Sequence, residues 1–183
     1  FVSANGQMQD GIYHKSATDY NQVNVRSNVD VQVTKSFKIG FDISARQQNK
    51  NYSAFPGKDY GIFYQTLRAF PTATAYYPNG LLRWGSNPVA LVQDITGYDK
   101  TKVNTINTTI TAKWDLDFIT KGLSVEGHVA YDLVNNTRKT WQTPWDGYDY
   151  NEVTQEYDKK VYTEWAYPSL SQTAKGWNTL TMN

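Results

Sequence analysis

The chain has no cysteine among its 183 residues. A disulfide framework, a thiol nucleophile and a Cys-ligated metal are therefore excluded, while the compartment stays open because many secreted and envelope proteins also lack Cys. An excess of one charge is missing too. The formal net charge is +1 and the pI about 8.0, with neither a basic stripe nor an acidic tail, which removes the electrostatic case for nucleic acid or an anionic membrane surface. No stretch approaches the roughly 20 consecutive apolar residues of a membrane helix. Helical spanning is excluded; a β-barrel is not, because its signal per strand is weak. The chain starts at Phe1 without a basic or apolar leader, so any targeting signal is expected to lie upstream or to have been removed. Only 39% of residues are hydrophobic, too few for a thick core, yet 15% are aromatic, and disordered chains are poor in aromatics. The rings must serve outside a core.

What is present is strict alternation. Val23, Val25, Val29, Val31 and Val33 fall on one face, and Gln22, Asn24, Arg26, Asn28, Asp30 and Gln32 on the other, which is the period of a strand. Phe37, Ile39, Phe41, Ile43 and Ala45 then oppose Lys38, Gly40, Asp42, Ser44, Arg46 and Gln48. Ile106, Ile110, Ala112 and Trp114 oppose Asn107, Thr109, Thr111, Lys113 and Asp115, and Val125, Val129, Tyr131 and Leu133 oppose Glu126, His128 and Asp132. These patterns predict strands over about 20–34, 37–48, 103–116 and 123–133, joined within each pair by a tight turn. Long loops are expected over about 49–102 and 135–178. The first holds a short helix capped by Asp59 and ended by Pro71, then turns at Tyr77-Pro78-Asn79-Gly80 and Ser86-Asn87-Pro88. Phe1 to Gln9 reads as the end of another strand, and residues 178–183 as the start of one.

Alternation alone fits both a soluble sandwich and a membrane barrel. Three features favour an all-β, antiparallel transmembrane barrel segment. Val23 to Val33 spans roughly 36 Å at about 3.3 Å per residue, or roughly 28 Å when tilted by about 40°, close to the ~25 Å apolar band of an outer-membrane barrel. No charge interrupts the four apolar faces, and one at mid-bilayer would cost about 2–4 kcal/mol. Rings sit toward strand ends at Phe37, Trp114, Phe118 and Tyr131, where an interfacial girdle belongs. Four good strands cannot close a barrel whose bacterial minimum is about eight, so the chain is expected to be a piece of a wall.

Beyond this pattern, Asn24-Val25-Arg26-Ser27-Asn28-Val29-Asp30 with Lys38-Ile39-Gly40 resembles a strand pair of SusC/RagA-type TonB-linked outer-membrane transporters (TonB-dependent receptors) of Bacteroidota. Phe63-Tyr64-Gln65-Thr66-Leu67-Arg68, Pro71, Tyr76-Tyr77-Pro78-Asn79-Gly80, Asn87-Pro88-Val89-Ala90 and Gly97-Tyr98 follow in that family's order, and Lys121-Gly122-Leu123-Ser124 looks like its next periplasmic turn. The resemblance covers about Tyr20 to Leu133. It implies a barrel of the ~22-stranded plugged class, a Gram-negative outer-membrane location, energisation through TonB, and a SusD-like surface lipoprotein that delivers glycans or oligopeptides. The plug domain is absent from this chain, which would then form a middle section of the wall and contact TonB only through that missing region. A soluble carbohydrate-binding β-sandwich is the alternative.

Candidate ligand contacts are Tyr76, Tyr77, Arg83 and Trp84 in the first long loop, and Trp141, Trp145, Asp146 and Tyr148 in the second. Rings beside carboxylates and amides suit sugars, whose C–H faces stack on aromatics, but the same rings pack loops against each other equally well. Asp146, Asp149, Asn151 and Glu152 do not follow a calcium-loop spacing, so no metal or cofactor is expected. Arg26, Asp30, Lys38, Asp42, Arg46, Lys113, Glu126 and His128 are expected to face a lumen, where they line water or a plug, with mutual pairing across strands the favoured reading. His128 shares its face with Glu126 and Asp132, but neither a nucleophile elbow nor a phosphate loop accompanies it, and no enzymatic activity is expected.

Overall fold

The computed structural model describes residues 1–54, 58–161 and 168–183, with the side chains of 58–60 not described. It is mostly antiparallel β-sheet. Strands β1 (Val2–Asp10), β2 (Asp19–Gln32), β3 (Phe37–Ser53), β4 (Gly97–Asp115), β5 (Ser124–Gln142) and β8 (Ser169–Met182) form one sheet in the order β1-β2-β3-β4-β5-β8. The hairpin β6 (Asp146–Asn151) and β7 (Glu156–Val161) stands apart. The sheet is open: β1 and β8 are its edges.

Turn chemistry accounts for the short connections. Between β2 and β3 the Val33 and Thr34 amides both donate to the Phe37 carbonyl, at 2.9 and 3.2 Å. Between β4 and β5, Gly122 adopts φ +84°, and its amide donates to Asp117 Oδ1 at 2.6 Å. Both turns lie at one end of the sheet. The connections β1–β2, β3–β4 and β5–β8 all lie at the other end, which carries the long loops.

The strands outrun the predicted ones at the long-loop end. β3 continues to Ser53, β4 begins at Gly97 and β5 reaches Gln142. The reason is visible in composition: Gln47, Gln48, Asn49, Lys50 and Asn51 are polar on both faces, so pairing persists without alternation to reveal it. β8 begins at Ser169, well before the expected end of the second loop, and β1 confirms the partial first strand. Asp59 lies within helix α1 (Lys58–Arg68), and its side chain is outside the described residues.

Register sorts the two faces. Val29, Phe41, Ile110, Val129 and Met182 form one row across five strands; Val31, Ile39, Ala112 and Gly127 lie below it, and Ser27, Ile43, Thr108, Tyr131 and Leu180 above. From the row of Phe37, Trp114 and Val125 to that of Val25, Ala45, Ile106 and Leu133, this face holds no charge. These rows span nine residues of β3, within the roughly 9–11 of a membrane-crossing strand. Phe37, Trp114 and Phe118 meet at the short-turn border, with centroids 6.3 and 6.4 Å apart, whereas Tyr131 sits six residues further along β5. Above the band the same face carries Asp19, Asn51, Lys100 and Lys139 in one row.

The buried apolar cluster lies elsewhere. Ile62, Ala90, Leu91, Val92 and Trp145, with Tyr13, Leu82 and Ile95 against them, form a core at the long-loop end. Helix α2 (Pro88–Leu91) is part of it, and Asn87 caps it: Oδ1 accepts from the Ala90 amide at 3.3 Å, while Nδ2 donates to the Ala75 and Arg83 carbonyls at 2.8 and 3.1 Å. The Ser86-Asn87-Pro88 turn signal is thus a helix start.

Candidate functional site

Three surfaces qualify: the apolar sheet face, the polar face behind it, and the mouth formed by the long loops. The apolar face is uncovered. Along its middle row Val29 is 44% exposed, Phe41 38%, Ile110 46%, Val129 40% and Met182 69%. No second sheet packs over it among the described residues.

The polar face carries the predicted lumenal residues. Arg26 pairs with Ser44, Asp30 with Gly40, Asp42 with Thr109, Arg46 with Thr105, Lys113 with both Lys38 and Glu126, and His128 with Thr111. All of them lie on the side opposite the apolar rows. Their mutual pairing is realised once, at Lys38 Nζ to Asp30 Oδ2, 3.1 Å. Arg26, Asp42 and Arg46 form no ion pair among the described residues, because register sets neutral Ser, Thr or Asn side chains directly opposite them. Asn107 Nδ2 donates to Asp132 Oδ1 at 2.6 Å. This side is an exposed wall that carries charge of both signs without ion pairs among the described residues at Arg26, Asp42 and Arg46.

At the mouth the two long loops dock on each other. The Trp84 amide donates to the Tyr148 carbonyl at 2.7 Å, the Tyr148 amide to the Leu82 carbonyl at 2.8 Å, and Arg83 and Tyr148 form a parallel bridge. The rings of Trp84 and Trp145 lie 6.3 Å apart. A Cβ on Gly147 would stand 2.9 Å from the Trp84 ring, so only glycine lets the loops approach this closely. Five of the eight candidate contacts, Tyr77, Arg83, Trp84, Trp145 and Tyr148, are thereby gathered into one loop junction.

Their exposures differ. Trp145 is 3% exposed and spent on the core. Asp146 is tied to Lys159 at 2.7 Å, and Asp149 to Lys160 at 2.9 Å; the hydrogen bond from Lys159 to Asp146 raises the lysine above its ordinary value. The acidic tract is therefore a set of cross-strand ion pairs between β6 and β7. Tyr77 and Tyr150 both pack on Tyr157, at 4.9 and 5.2 Å, and the Tyr150 amide donates to Tyr77 Oη at 3.2 Å. Tyr76 remains exposed, its hydroxyl accepting from Gln93 at 2.8 Å. Trp141 lies on β5 opposite Tyr98, outside the junction.

One feature escaped the sequence reading. Where β1, β2 and β3 reach the mouth, a cavity of about 470 Å³ opens between the polar face and the loops, lined by Asp10, Tyr13, Tyr20, Lys50, Tyr52 and Phe63 among others. These positions are spread over more than fifty residues, and no local spacing links them.

Comparison of the chain with protein-family models and with curated proteins gives no match.

Proposed function

We propose that the chain is a section of the barrel wall of an outer-membrane nutrient importer of the SusC/RagA type, taking up glycans or oligopeptides, energised through TonB and working with a SusD-like surface lipoprotein. The observation that carries this reading is the middle row of the sheet, where five strands present exposed aliphatic and aromatic side chains in register. A contiguous apolar face of this kind demands an apolar partner, and hydrocarbon satisfies it. The reverse face is mostly polar, interrupted at Ala130, Val134 and Trp177, in keeping with a water-filled or plugged lumen. Short turns at one end and long loops at the other match the periplasmic and extracellular asymmetry of such barrels.

Open edges belong to the same reading. Unpaired strand edges do not persist in lipid, where each unsatisfied backbone group costs several kcal/mol. β1 and β8 would therefore each pair with a further strand of the same barrel. The chain itself catalyses no reaction on this reading; it supplies wall and loops. A carbohydrate-binding sandwich gains no support, since it needs a second sheet packed about 10 Å over the apolar face.

Fractionation of native cells tests the proposal. The protein is expected in the outer-membrane pellet after alkaline carbonate washing, with substrate uptake lost when the proton-motive force is collapsed. Recovery as a soluble monomer overturns the barrel, and uptake indifferent to the proton-motive force overturns the TonB coupling.

A further inference from the structure

On the apolar side of the sheet, charge is segregated toward the long-loop end. One row runs Asp10, Asp19, Asn51, Lys100, Lys139 and Gln172 across the six strands, with both acids on β1 and β2 and both lysines on β4 and β5. Lys102 stands one row lower, between Asn49 and Thr137. All three lysines are exposed. A net charge of +1 conceals the cluster, because it sums over acids that lie elsewhere.

Lys100 and Lys139 are direct cross-strand partners. Like charges set opposite each other are destabilising, and an anion between them relieves the repulsion. The sheet's other lysine pair has such relief: Lys38 faces Lys113, but Asp30 holds Lys38 at 3.1 Å and Glu126 faces Lys113 from the next strand. Around Lys100 and Lys139 the neighbours in the same row are Asn51 and Gln172, and the rows directly above and below hold no carboxylate. None of the three lysines forms an ion pair among the described residues; Lys100 Nζ lies 4.8 Å from the centroid of the Tyr98 ring. Asp99 and Asp132 belong to the opposite face, where Arg138 holds Asp99 at 2.6 Å. Asp19 accepts from Asn51 at 2.7 Å and from Asn21 at 3.3 Å.

Their height on the sheet is equally specific. The row above Ile106, with Val23, Gln47, Asn104 and Asn135, is uncharged, so Lys102 is the first charge met on this face beyond the apolar band. Four residues at about 3.3 Å each, tilted by about 40°, put it roughly 10 Å above Ile106, and Lys100 and Lys139 stand roughly 5 Å higher. Lysine stems lie along apolar surface while their ammonium groups stay at a polar level, which brings the three charges to the layer of lipid headgroups.

We propose that Lys100, Lys102 and Lys139 bind the phosphate of an anionic lipid headgroup in the leaflet on the long-loop side. The inference rests on the importer reading, which turns this face to lipid and this end outward. Charge complementarity selects the occupant. Each ammonium offers three donors and no acceptor, whereas an ionised phosphate offers acceptors and the missing negative charge; a zwitterionic headgroup brings a cation of its own and relieves less of the repulsion.

The test uses the full-length protein purified from outer membranes into neutral detergent, stripped of lipid, and titrated with monophosphoryl lipid A, phosphatidylcholine and inorganic phosphate, with binding read by native mass spectrometry. Monophosphoryl lipid A is expected to bind in clear preference to the other two. At about five-fold per lysine, Lys139→Gln should weaken it about five-fold and the triple variant Lys100→Gln, Lys102→Gln, Lys139→Gln roughly a hundred-fold. The triple arginine variant should bind like wild type, and all variants should reach the membrane in equal amount. Membrane-resident wild-type protein that binds phosphatidylcholine equally well, or binding unchanged by the glutamine substitutions, overturns the patch and leaves the importer reading standing. Inorganic phosphate bound as tightly as the lipid overturns the lipid as occupant. Recovery of wild-type protein only in the soluble fraction overturns the importer reading itself.

Discussion

The same long strands build two regions that obey opposite rules. In the band from Phe37 to Ala45 on β3 and from Ile106 to Trp114 on β4, side chains alternate except at Thr108, and none is buried. At the long-loop end alternation fails, yet every buried side chain among the described residues lies there: Ser53, Ala54, Ile62, Asn87, Ala90, Leu91, Val92, Thr96, Asp99 and Trp145. The mouth is held together by ordinary burial, the loops having found each other. Among the described residues no protein covers the band's apolar side, so its stability has to come from what surrounds it and from its backbone ladders. Each region can accordingly be damaged without the other.

The largest effect is expected at the mouth. Trp145→Ala removes the largest ring of the loop core and should cost about 3–5 kcal/mol of local stability. Limited proteolysis should then cut within the loops while the strands stay protected in the membrane; unchanged loop resistance would remove Trp145 from the core. Damage to the band comes next. Ile110→Arg should cost about 2–4 kcal/mol at mid-bilayer and reduce assembly, whereas Thr109→Arg, one residue away on the polar face, should assemble normally. Equal yields in the outer membrane would erase the distinction between faces. Smaller again is Asn87→Ala, where loss of the α2 cap should cost roughly 0.5–2 kcal/mol, read as a lower melting temperature of the loops alone. Smallest is Lys38→Gln, which breaks the exposed pair with Asp30 and should change stability by no more than about 1 kcal/mol.

The two regions also differ in how well sequence reveals them. Alternation exposes the band because an apolar side chain is followed by a polar one at nearly every step, so Val29, Phe41, Ile110 and Val129 are readable one strand at a time. The strand extensions carry Gln, Asn and Lys on both faces and offered no contrast. β8 was mostly hidden for a similar reason, since Ser169, Ser171 and Thr173 alternate with Leu170, Gln172 and Ala174 without a clear apolar side. At the mouth, a tryptophan in a loop reads alike whether it is buried like Trp145 or free. Tyr20, Lys50 and Phe63 become one cavity only through pairing of β2 with β3 and the return of α1 over them.

The central claim is that the two sheet faces meet different solvents, and an accessibility scan of β4 tests it most directly. These 183 residues hold no cysteine, so single substitutions from Ile106→Cys to Lys113→Cys in the full-length protein in native membranes, with any cysteine outside them replaced by serine, give a clean background. Positions 106, 108, 110 and 112 should react only with a membrane-partitioning maleimide, and positions 107, 109, 111 and 113 with a water-soluble one. Water-soluble labelling at both sets, or protection of both from either reagent, would contradict the account.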